Sequence, residues 1–153
     1  MSVALRKANM ADVKGAYELL NSYAEQGELL GRSLSSLYDN LRDFQVATHT
    51  DGRLAGVCAL HICWENLAEI RSLAVCADSH KQGIGRLLVE QCLADAKALE
   101  ISEVFTLTYQ PKFFKKFGFV PIDKKELPHK VWTDCINCPK FPDCNEEAMV
   151  WHG

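Results

Sequence analysis

A glycine-rich turn within residues 73–88 is the part of this chain best suited to chemistry. An apolar run that ends at Val75 is followed by a short polar stretch, by Gly83 and Gly85, and then by a helical pattern. The start of a helix directs backbone N–H groups and the positive end of its dipole outward. Glycine lets an anion approach the backbone closely because it has no Cβ. The segment therefore predicts a pyrophosphate site built from backbone amides.

The turn differs from two other phosphate-binding motifs. Gly85 is followed neither by the Lys-Ser/Thr pair of a nucleotide P-loop nor by the third glycine of a dinucleotide-binding turn. A tight strand-to-helix turn without a ligand would also use glycines here. On these residues alone, that alternative stays open.

A second group of candidate residues lies in the C-terminal stretch, where Cys135, Cys138 and Cys144 have the spacing of metal ligands. His129 or His152 would be the fourth ligand of a zinc site, because three cysteines are one short of the usual set. The alternatives are one disulfide with a spare thiol, or three free thiols packed under a loop. We expect no resident metal and thiols that are reduced or reversibly oxidised, since the sequence otherwise indicates a reducing compartment.

Composition excludes several classes of function. The 153 residues are 48% hydrophobic and 24% charged, as in a globular domain with a full core, and the formal net charge is −3. This balance gives no basic footprint for nucleic acid. The apolar runs are too short for a membrane span, and the N-terminus lacks a long apolar signal core. We expect a cytoplasmic protein in which the remaining cysteines are reduced core residues: Cys58, Cys63, Cys76 and Cys92.

The periodicity of the chain predicts alternating strands and helices that would position these groups. Strands are predicted over residues 2–8, 44–50, 54–63, 67–75 and 103–108, with extended chain again from residue 119. Asp51-Gly52 is a strong hairpin signal between the second and third strands. Helices are predicted after Asp12 as N-cap, from Ser33 or Ser35 to residue 41, over residues 85–99, and over residues 112–116 with Gly118 as C-cap.

This order of elements resembles the fold of the GNAT N-acetyltransferases over about the first 125 residues. The likeness is most specific at residues 75–88, which are similar to the family's acetyl-CoA signature, and at residues 113–119, which are similar to its aromatic-x-x-x-Gly-Phe motif. His80 stands where the family has Gln or Arg, and Lys81 stands where a further glycine is common. The resemblance implies a mixed α/β fold, with a splayed, mostly antiparallel sheet flanked by helices. Residues 1–153 would form a single domain whose cysteine-containing tail begins near residue 127.

The same resemblance implies that acetyl-CoA is the cosubstrate. The backbones of Leu73 and Val75 would hold the pantetheine arm, and the amide of Leu73 or Ala74 would polarise the acetyl carbonyl. Its pyrophosphate would lie on the amides of residues 82–86. The implied binding set is Leu73, Ala74, Val75, His80, Lys81, Gln82, Gly83, Ile84, Gly85, Arg86, Phe113 and Phe114.

Two side chains are candidates for proton transfer. Glu69 shares a strand face with Arg71 and is the candidate general base, acting through a water on the substrate ammonium. The alternative is a surface glutamate paired with Arg71. The family's usual acid, a tyrosine, is replaced by Phe114, which cannot donate a proton. Either Tyr109 donates the proton in its place, or the departing thiolate takes a proton from water. If Tyr109 is not the acid, it is an aromatic side chain that lines the acceptor cleft.

Four segments together resemble the N-acetylglutamate synthases of arginine biosynthesis, in the short form that lacks a kinase-like domain: residues 29–33, 68–75, 105–109 and 127–130. The likeness implies acetyl transfer to the α-amine of a small acidic amino acid, L-glutamate foremost. Arg32 and the backbone of Leu30 would hold the α-carboxylate, because arginine is the best carboxylate fork. Arg71 and Lys130 are candidates for the side-chain carboxylate. Each of these cations has the alternative of a solvated surface charge.

Two other functions stay open. One is a GNAT enzyme for another amine, such as a protein N-terminus, a polyamine or an antibiotic. The other is a non-catalytic acyl-CoA-binding regulator, which Phe114 and the altered His80-Lys81 pair favour. If the protein is an enzyme, we expect direct transfer, because its cysteines lack the helix-start or histidine-paired setting of a nucleophile. The sequence also leaves a homodimer open.

Overall fold

The computed structural model describes residues 3–25, 32–77, 83–126 and 147–153. These residues contain seven strands, which are β1 Val3–Lys7, β2 Phe44–His49, β3 Leu54–Trp64, β4 Leu67–Val75, β5 Glu103–Thr108, β6 Val120–Pro121 and β7 Glu147–His152. They also contain four α-helices, which are α1 Val13–Glu25, α2 Leu34–Asp39, α3 Ile84–Ala98 and α4 Pro111–Lys115. None of the described helices is both long and apolar enough to cross a membrane.

The strands form one mixed sheet in the order β1-β2-β3-β4-β5-β7-β6. Strand β2 pairs antiparallel with β1 and β3, and β7 pairs antiparallel with β5 and β6. Strands β4 and β5 run parallel, with Leu67 opposite Glu103 and Glu69 opposite Phe105. The mixed α/β architecture predicted from the sequence, with a mostly antiparallel sheet flanked by helices, is confirmed.

The chain divides into two compact units. The first comprises Met1–His61 and Ile70–Asp95, and the second comprises Ile62–Glu69 and Ala96–Gly153. In the first unit, the apolar face of α1 packs on β2 and β3 through fully buried side chains that include Leu20, Val46 and Val57. This helix presents apolar residues at helical spacing, and the strands supply a matching face, so burial stabilises both.

The approach to α1 differs from the prediction. Asp12 was expected to be the N-cap, but Asn9 has that role, at the start of a 3-10 turn over Met10–Asp12 that leads into α1. Asn9 accepts from the Ala11 amide at 3.0 Å, and Asp12 accepts from the Asn9 amide at 2.7 Å. Asp12 also forms a bidentate pair with Arg6, at 2.7 and 2.8 Å. Both side chains of this capping box thus satisfy amides that would otherwise lack a partner.

In the second unit, β7 is an element that sequence patterning missed. It pairs with β5 along its whole length, with Trp151 opposite Val104, and it buries Ala148, Met149, Val150 and Trp151. A strand buried on both faces reads as a short continuous apolar run, which does not show the alternation that identifies a half-buried strand.

Two glycines confirm predicted turns. Gly52 has φ +91° in the β2–β3 hairpin, where its amide donates to the His49 carbonyl at 2.9 Å. Gly118 has φ +93° in the turn after α4, two residues beyond Lys116, which is the C-cap in place of the predicted Gly118. Residues with a Cβ rarely adopt this left-handed backbone, so glycine is the residue expected at both turns.

Candidate active site

The strand β4 carries most of the predicted site residues. Burial alternates along it, so that Glu69, Arg71, Leu73 and Val75 are half-buried while the residues between them are buried. Side chains at alternate positions of a strand lie on the same face. The predicted base and the predicted cation Arg71 therefore lie on one face of this strand.

Ser72 gives β4 an irregular backbone. Its φ is +57° and it is 8% exposed, so a buried non-glycine residue has left-handed backbone geometry within a strand. This conformation costs about 1–2 kcal/mol for a residue with a Cβ. Strained residues of this kind cluster at functional sites, where surrounding contacts hold them in place. The sequence gives no signal for it, because a serine within an apolar run predicts no particular backbone angle.

Arg32, the predicted carboxylate ligand, is held by two serines of the first unit. Its Nε donates to Ser72 Oγ at 2.7 Å, and its Nη1 donates to Ser36 Oγ at 3.1 Å. The Arg32 carbonyl accepts from Asn21 Nδ2 at 3.3 Å, which connects it to α1. These contacts fix both the backbone and the guanidinium plane of Arg32. Neither Ser36 nor Ser72 was expected from the sequence.

The end of β4 forms hydrogen bonds with α1 and β3. The Tyr23 hydroxyl donates to the Val75 carbonyl at 2.5 Å, and the Cys76 amide donates to the Ala55 carbonyl at 2.8 Å. The sequence identified Tyr23 only as part of the apolar face of α1, so its polar role was missed. Because of these two bonds, the backbone expected to hold pantetheine is oriented before any ligand arrives.

The start of α3 contains the described part of the predicted amide cradle, whose role in binding stays a prediction. Gly83 has φ +74°, and its carbonyl accepts the first helical bond, from the Leu87 amide at 3.1 Å. Among the described residues, a Cβ built at Gly83 would meet no atom within 4 Å. Gly83 is therefore the residue suited to this backbone angle, and no atom of the described residues fills the space beside it.

Gly56 of β3 allows α3 to approach the sheet. A Cβ at this position would lie 3.0 Å from the Ala74 carbonyl oxygen and 3.1 Å from a methyl group of Leu88. It would also lie 3.3 Å from a methyl group of Ile84, the first residue of α3. A larger residue would push the start of α3 away from the end of β4.

The aromatic candidates belong to the second unit. Tyr109 follows β5 directly and is half-buried. Phe114 is 4% exposed and packs edge-on against Phe113 and Phe119, with ring centroids 5.2 and 5.3 Å away. The phenyl ring at the family's tyrosine position is thus a core side chain. The roles of Tyr109, Phe113 and Phe114 toward acetyl-CoA stay predictions.

Several predicted residues lie outside the described parts of the chain: Leu30, His80, Lys81, Gln82, Lys130, Cys135, Cys138 and Cys144. Within the described parts there is no group of three or more His, Cys, Asp or Glu side chains that could hold a metal ion. The expectations for the cysteine-containing tail and its metal therefore stay predictions.

The thiols predicted to be reduced are free cysteines. Cys58, Cys63 and Cys92 are buried, and Cys76 is half-buried. Cys58 and Cys92 lie 3.7 Å apart, sulfur to sulfur. The hydrogen bond with Cys92, together with burial, holds the pKa of the Cys58 thiol well above its usual value. Cys58 is therefore a neutral core thiol at physiological pH and not a nucleophile.

Comparison with known proteins agrees with this geometry. Residues 13–119 match the model of the acetyltransferase (GNAT) family. The chain is 42% identical over 146 residues to an uncharacterized N-acetyltransferase of Chlorobaculum tepidum, covering 95% of this chain and 94% of that protein. It is 35% identical over 132 residues to the amino-acid acetyltransferase of Mycobacterium tuberculosis, covering 85% of this chain and 75% of that protein.

A solved structure extends the comparison. N-acetylglutamate synthase from Neisseria gonorrhoeae, complexed with coenzyme A and N-acetyl-glutamate, matches with a TM-score of 0.90 and 28% identity. The match covers 99% of this chain but 35% of the synthase chain, so this protein spans about a third of that relative. The resemblance predicted from the sequence is confirmed: the chain belongs to the GNAT family and is an acetyl-CoA-dependent N-acetyltransferase.

Proposed function

We propose that this protein transfers acetyl from acetyl-CoA to the α-amino group of a small acidic amino acid, with L-glutamate as the preferred acceptor. The observation that carries the proposal is the setting of Arg32. Its guanidinium is held at 2.7 Å from Ser72, on the strand that also bears Glu69 and Arg71. A rigid guanidinium is the group best matched to a carboxylate, since its N–H donors form a planar fork.

The comparisons support an amino-acid acceptor. A relative that is 35% identical is named an amino-acid acetyltransferase, and a structural neighbour was solved with N-acetyl-glutamate. By this likeness the reaction would contribute to arginine biosynthesis in the cytoplasm. In the proposed complex, Arg32 and the Leu30 backbone bind the α-carboxylate, and Arg71 and Lys130 bind the side-chain carboxylate.

The proposed reaction is a direct displacement. The free amine attacks the thioester carbonyl, an N–C bond forms, and the C–S bond to coenzyme A breaks. Glu69 accepts the ammonium proton through a water before the attack, and the nitrogen gives its second proton to solvent as the C–S bond breaks. The departing thiolate takes a proton from Tyr109, which solvent then reprotonates, or directly from water. The amide of Leu73 or Ala74 would stabilise the oxyanion, and the amides at the start of α3, with Gly83, would bind the pyrophosphate.

The test is acetylation of L-glutamate by wild-type protein and by Arg32→Ala, with products identified by mass spectrometry. We expect N-acetylglutamate from the wild type. We also expect the KM for glutamate to rise in the variant by about 10- to 150-fold, the range for losing a charge-assisted hydrogen bond. The KM for acetyl-CoA should stay within about two-fold, as in the control Arg53→Ala, whose exposed side chain pairs with Asp51. A wild type that does not acetylate glutamate would overturn the proposal.

The non-catalytic regulator that Phe114 favoured in the sequence is not proposed, because the family match and the relatives show an acetyl-CoA-dependent N-acetyltransferase. Phe114 packs in an aromatic core and has no proton to give, so the proton for the departing thiolate must come from Tyr109 or from water.

A further inference from the structure

Ser72 combines a left-handed backbone with a side-chain hydrogen bond to a distant arginine, and an ordinary strand residue needs neither. It is the one described residue of β4 with a positive φ, and its side chain points to Arg32, forty positions earlier in the chain. The residue as a whole is 8% exposed, so its hydroxyl lies in a largely buried environment. Buried polar groups need hydrogen-bond partners, and here the partner is the Nε of Arg32, at 2.7 Å.

The guanidinium receives its orientation from hydroxyl groups. Ser72 accepts from Nε and Ser36 accepts from Nη1, so two points of the planar group are fixed. A hydroxyl carries no charge, so neither of these two contacts adds a negative charge beside the cation. An aspartate at either position would compete with a substrate carboxylate for the same donors.

We infer that Ser72 is a positioning residue that sets the Arg32 guanidinium for the α-carboxylate of the acceptor. The inference rests on the proposed function, because it assumes that Arg32 binds a carboxylate. The left-handed backbone at Ser72 serves this role, since it determines where the strand directs the hydroxyl.

The experiment is a double-mutant cycle on Ser72→Ala and Arg32→Ala, read as KM for L-glutamate, KM for acetyl-CoA and kcat. We expect Ser72→Ala to raise the KM for glutamate by roughly 3- to 10-fold, the effect of losing one hydrogen bond. Its KM for acetyl-CoA should stay within about two-fold. In the Arg32→Ala background, adding Ser72→Ala should change the glutamate KM by less than about two-fold, because Ser72 acts through Arg32.

Two further variants separate the hydroxyl from the backbone. Ser72→Gly also lacks the hydroxyl but adopts positive φ readily, so it serves if Ser72→Ala folds poorly. We expect it to raise the glutamate KM as Ser72→Ala does. A Ser72→Gly enzyme with wild-type KM would show that only the backbone matters and would overturn the inference. Ser35→Ala, at an exposed position of α2, is the matched control and should behave as wild type.

The outcomes distinguish this inference from the proposed function. An active wild type in which the effects of Ser72→Ala and Arg32→Ala on KM simply multiply would overturn the inference and leave the proposed function standing. Equal rises in both KM values for Ser72→Ala would do the same, because they would indicate a general structural defect. A wild type that acetylates no α-amino acid would overturn both.

Discussion

At the scale of single residues, Glu69 is the group on which the proposed chemistry depends. Its half-buried position on β4, on the same face as Arg71, suits a base that works through water. Neutral amines attack thioesters and ammonium ions do not, so a base is needed at neutral pH. At high pH the substrate supplies its own free amine, and the base becomes less important.

Replacing Glu69 with Gln should therefore lower kcat by about 100- to 10,000-fold at neutral pH, the usual range for general base catalysis. The KM for acetyl-CoA should change little, and the loss should shrink as pH rises. A pH–rate profile from 6 to 10 provides the measurement. Glu65→Gln, in the exposed turn between β3 and β4, is the control and should match the wild type. If Glu69→Gln showed the wild-type rate at pH 7, the base would have to be another group.

At the residue scale, the sequence supports a hypothesis where a side chain combines a suitable chemistry with a family resemblance. Arg32 could be proposed in this way as a carboxylate ligand, and that role stays a prediction. The contacts of Ser72, Ser36 and Tyr23 could not be predicted, because they join distant parts of the chain. The Tyr23 hydroxyl donates to the carbonyl of Val75, fifty-two positions later in the chain. The local sequence around neither residue indicates this hydrogen bond.

At the scale of elements, the start of α3 makes the sharpest prediction. Asn and Asp tolerate positive φ better than other non-glycine residues, and they are nearly isosteric. Gly83→Asn and Gly83→Asp should therefore strain the backbone similarly but differ in charge. If pyrophosphate binds here, Gly83→Asp should weaken acetyl-CoA binding at least about 10-fold more than Gly83→Asn, since like charges 4 Å apart repel by about 1–4 kcal/mol near a surface.

Calorimetry with acetyl-CoA measures this difference, and Gly52 provides the control. Gly52 also has positive φ and, among the described residues, open space where a Cβ would stand. Gly52→Asp should leave acetyl-CoA affinity at the level of Gly52→Asn. Equal acetyl-CoA affinities for the two Gly83 variants would show that the pyrophosphate does not bind at this turn.

The capping box before α1 predicts how stability depends on pH. The paired Arg6 guanidinium, and the Asn9 amide after it, hold the pKa of Asp12 below its usual value of 3.8. A lowered folded-state pKa contributes stability above the unfolded value and loses it as pH falls through the folded one. The contribution should be complete at pH 7 and should be lost progressively as the pH falls below about 4.

Asp12→Asn should accordingly cost about 1 kcal/mol of unfolding free energy at pH 7, the typical cost of a damaged helix cap. Urea unfolding of both proteins at pH 7, 5, 4 and 3 provides the test. The two free energies should converge as the solution becomes acidic. A difference that stayed constant down to pH 3 would show that the carboxylate charge makes no contribution.

Element-scale prediction from sequence was accurate where periodicity is strong. Strands β4 and β5 were placed at their observed bounds, because each alternates or ends at a clear turn. The strand β7 was missed because Ala148–Trp151 is buried on both faces and reads as a short apolar run. The capping residue shifted from Asp12 to Asn9 because both can cap, and the 3-10 turn between them has no sequence signature.

At the scale of the whole molecule, the order of elements and two motifs identify the family. In the proposed site, the choice of the acceptor amine depends on only a few side chains. The acetyl-CoA side depends largely on backbone amides, which many sequences can supply. The proposed acceptor site depends on cations, of which Arg32 and Arg71 are half-buried in the structure. Acceptor charge is therefore the property that separates glutamate from a polyamine or an aminoglycoside, since cationic amines would be repelled by this site.

A competition assay tests this central claim most directly. Limiting acetyl-CoA is added to wild-type protein with equimolar L-glutamate, a polyamine, an aminoglycoside and a peptide with a free N-terminus, and the acetylated products are quantified by mass spectrometry. Because the substrates compete for one enzyme, the product ratio reports the ratio of kcat/KM values. The account predicts that N-acetylglutamate is the main product and that its amount matches the coenzyme A released. An acetylated polyamine, aminoglycoside or peptide as the main product, with glutamate untouched, would contradict it.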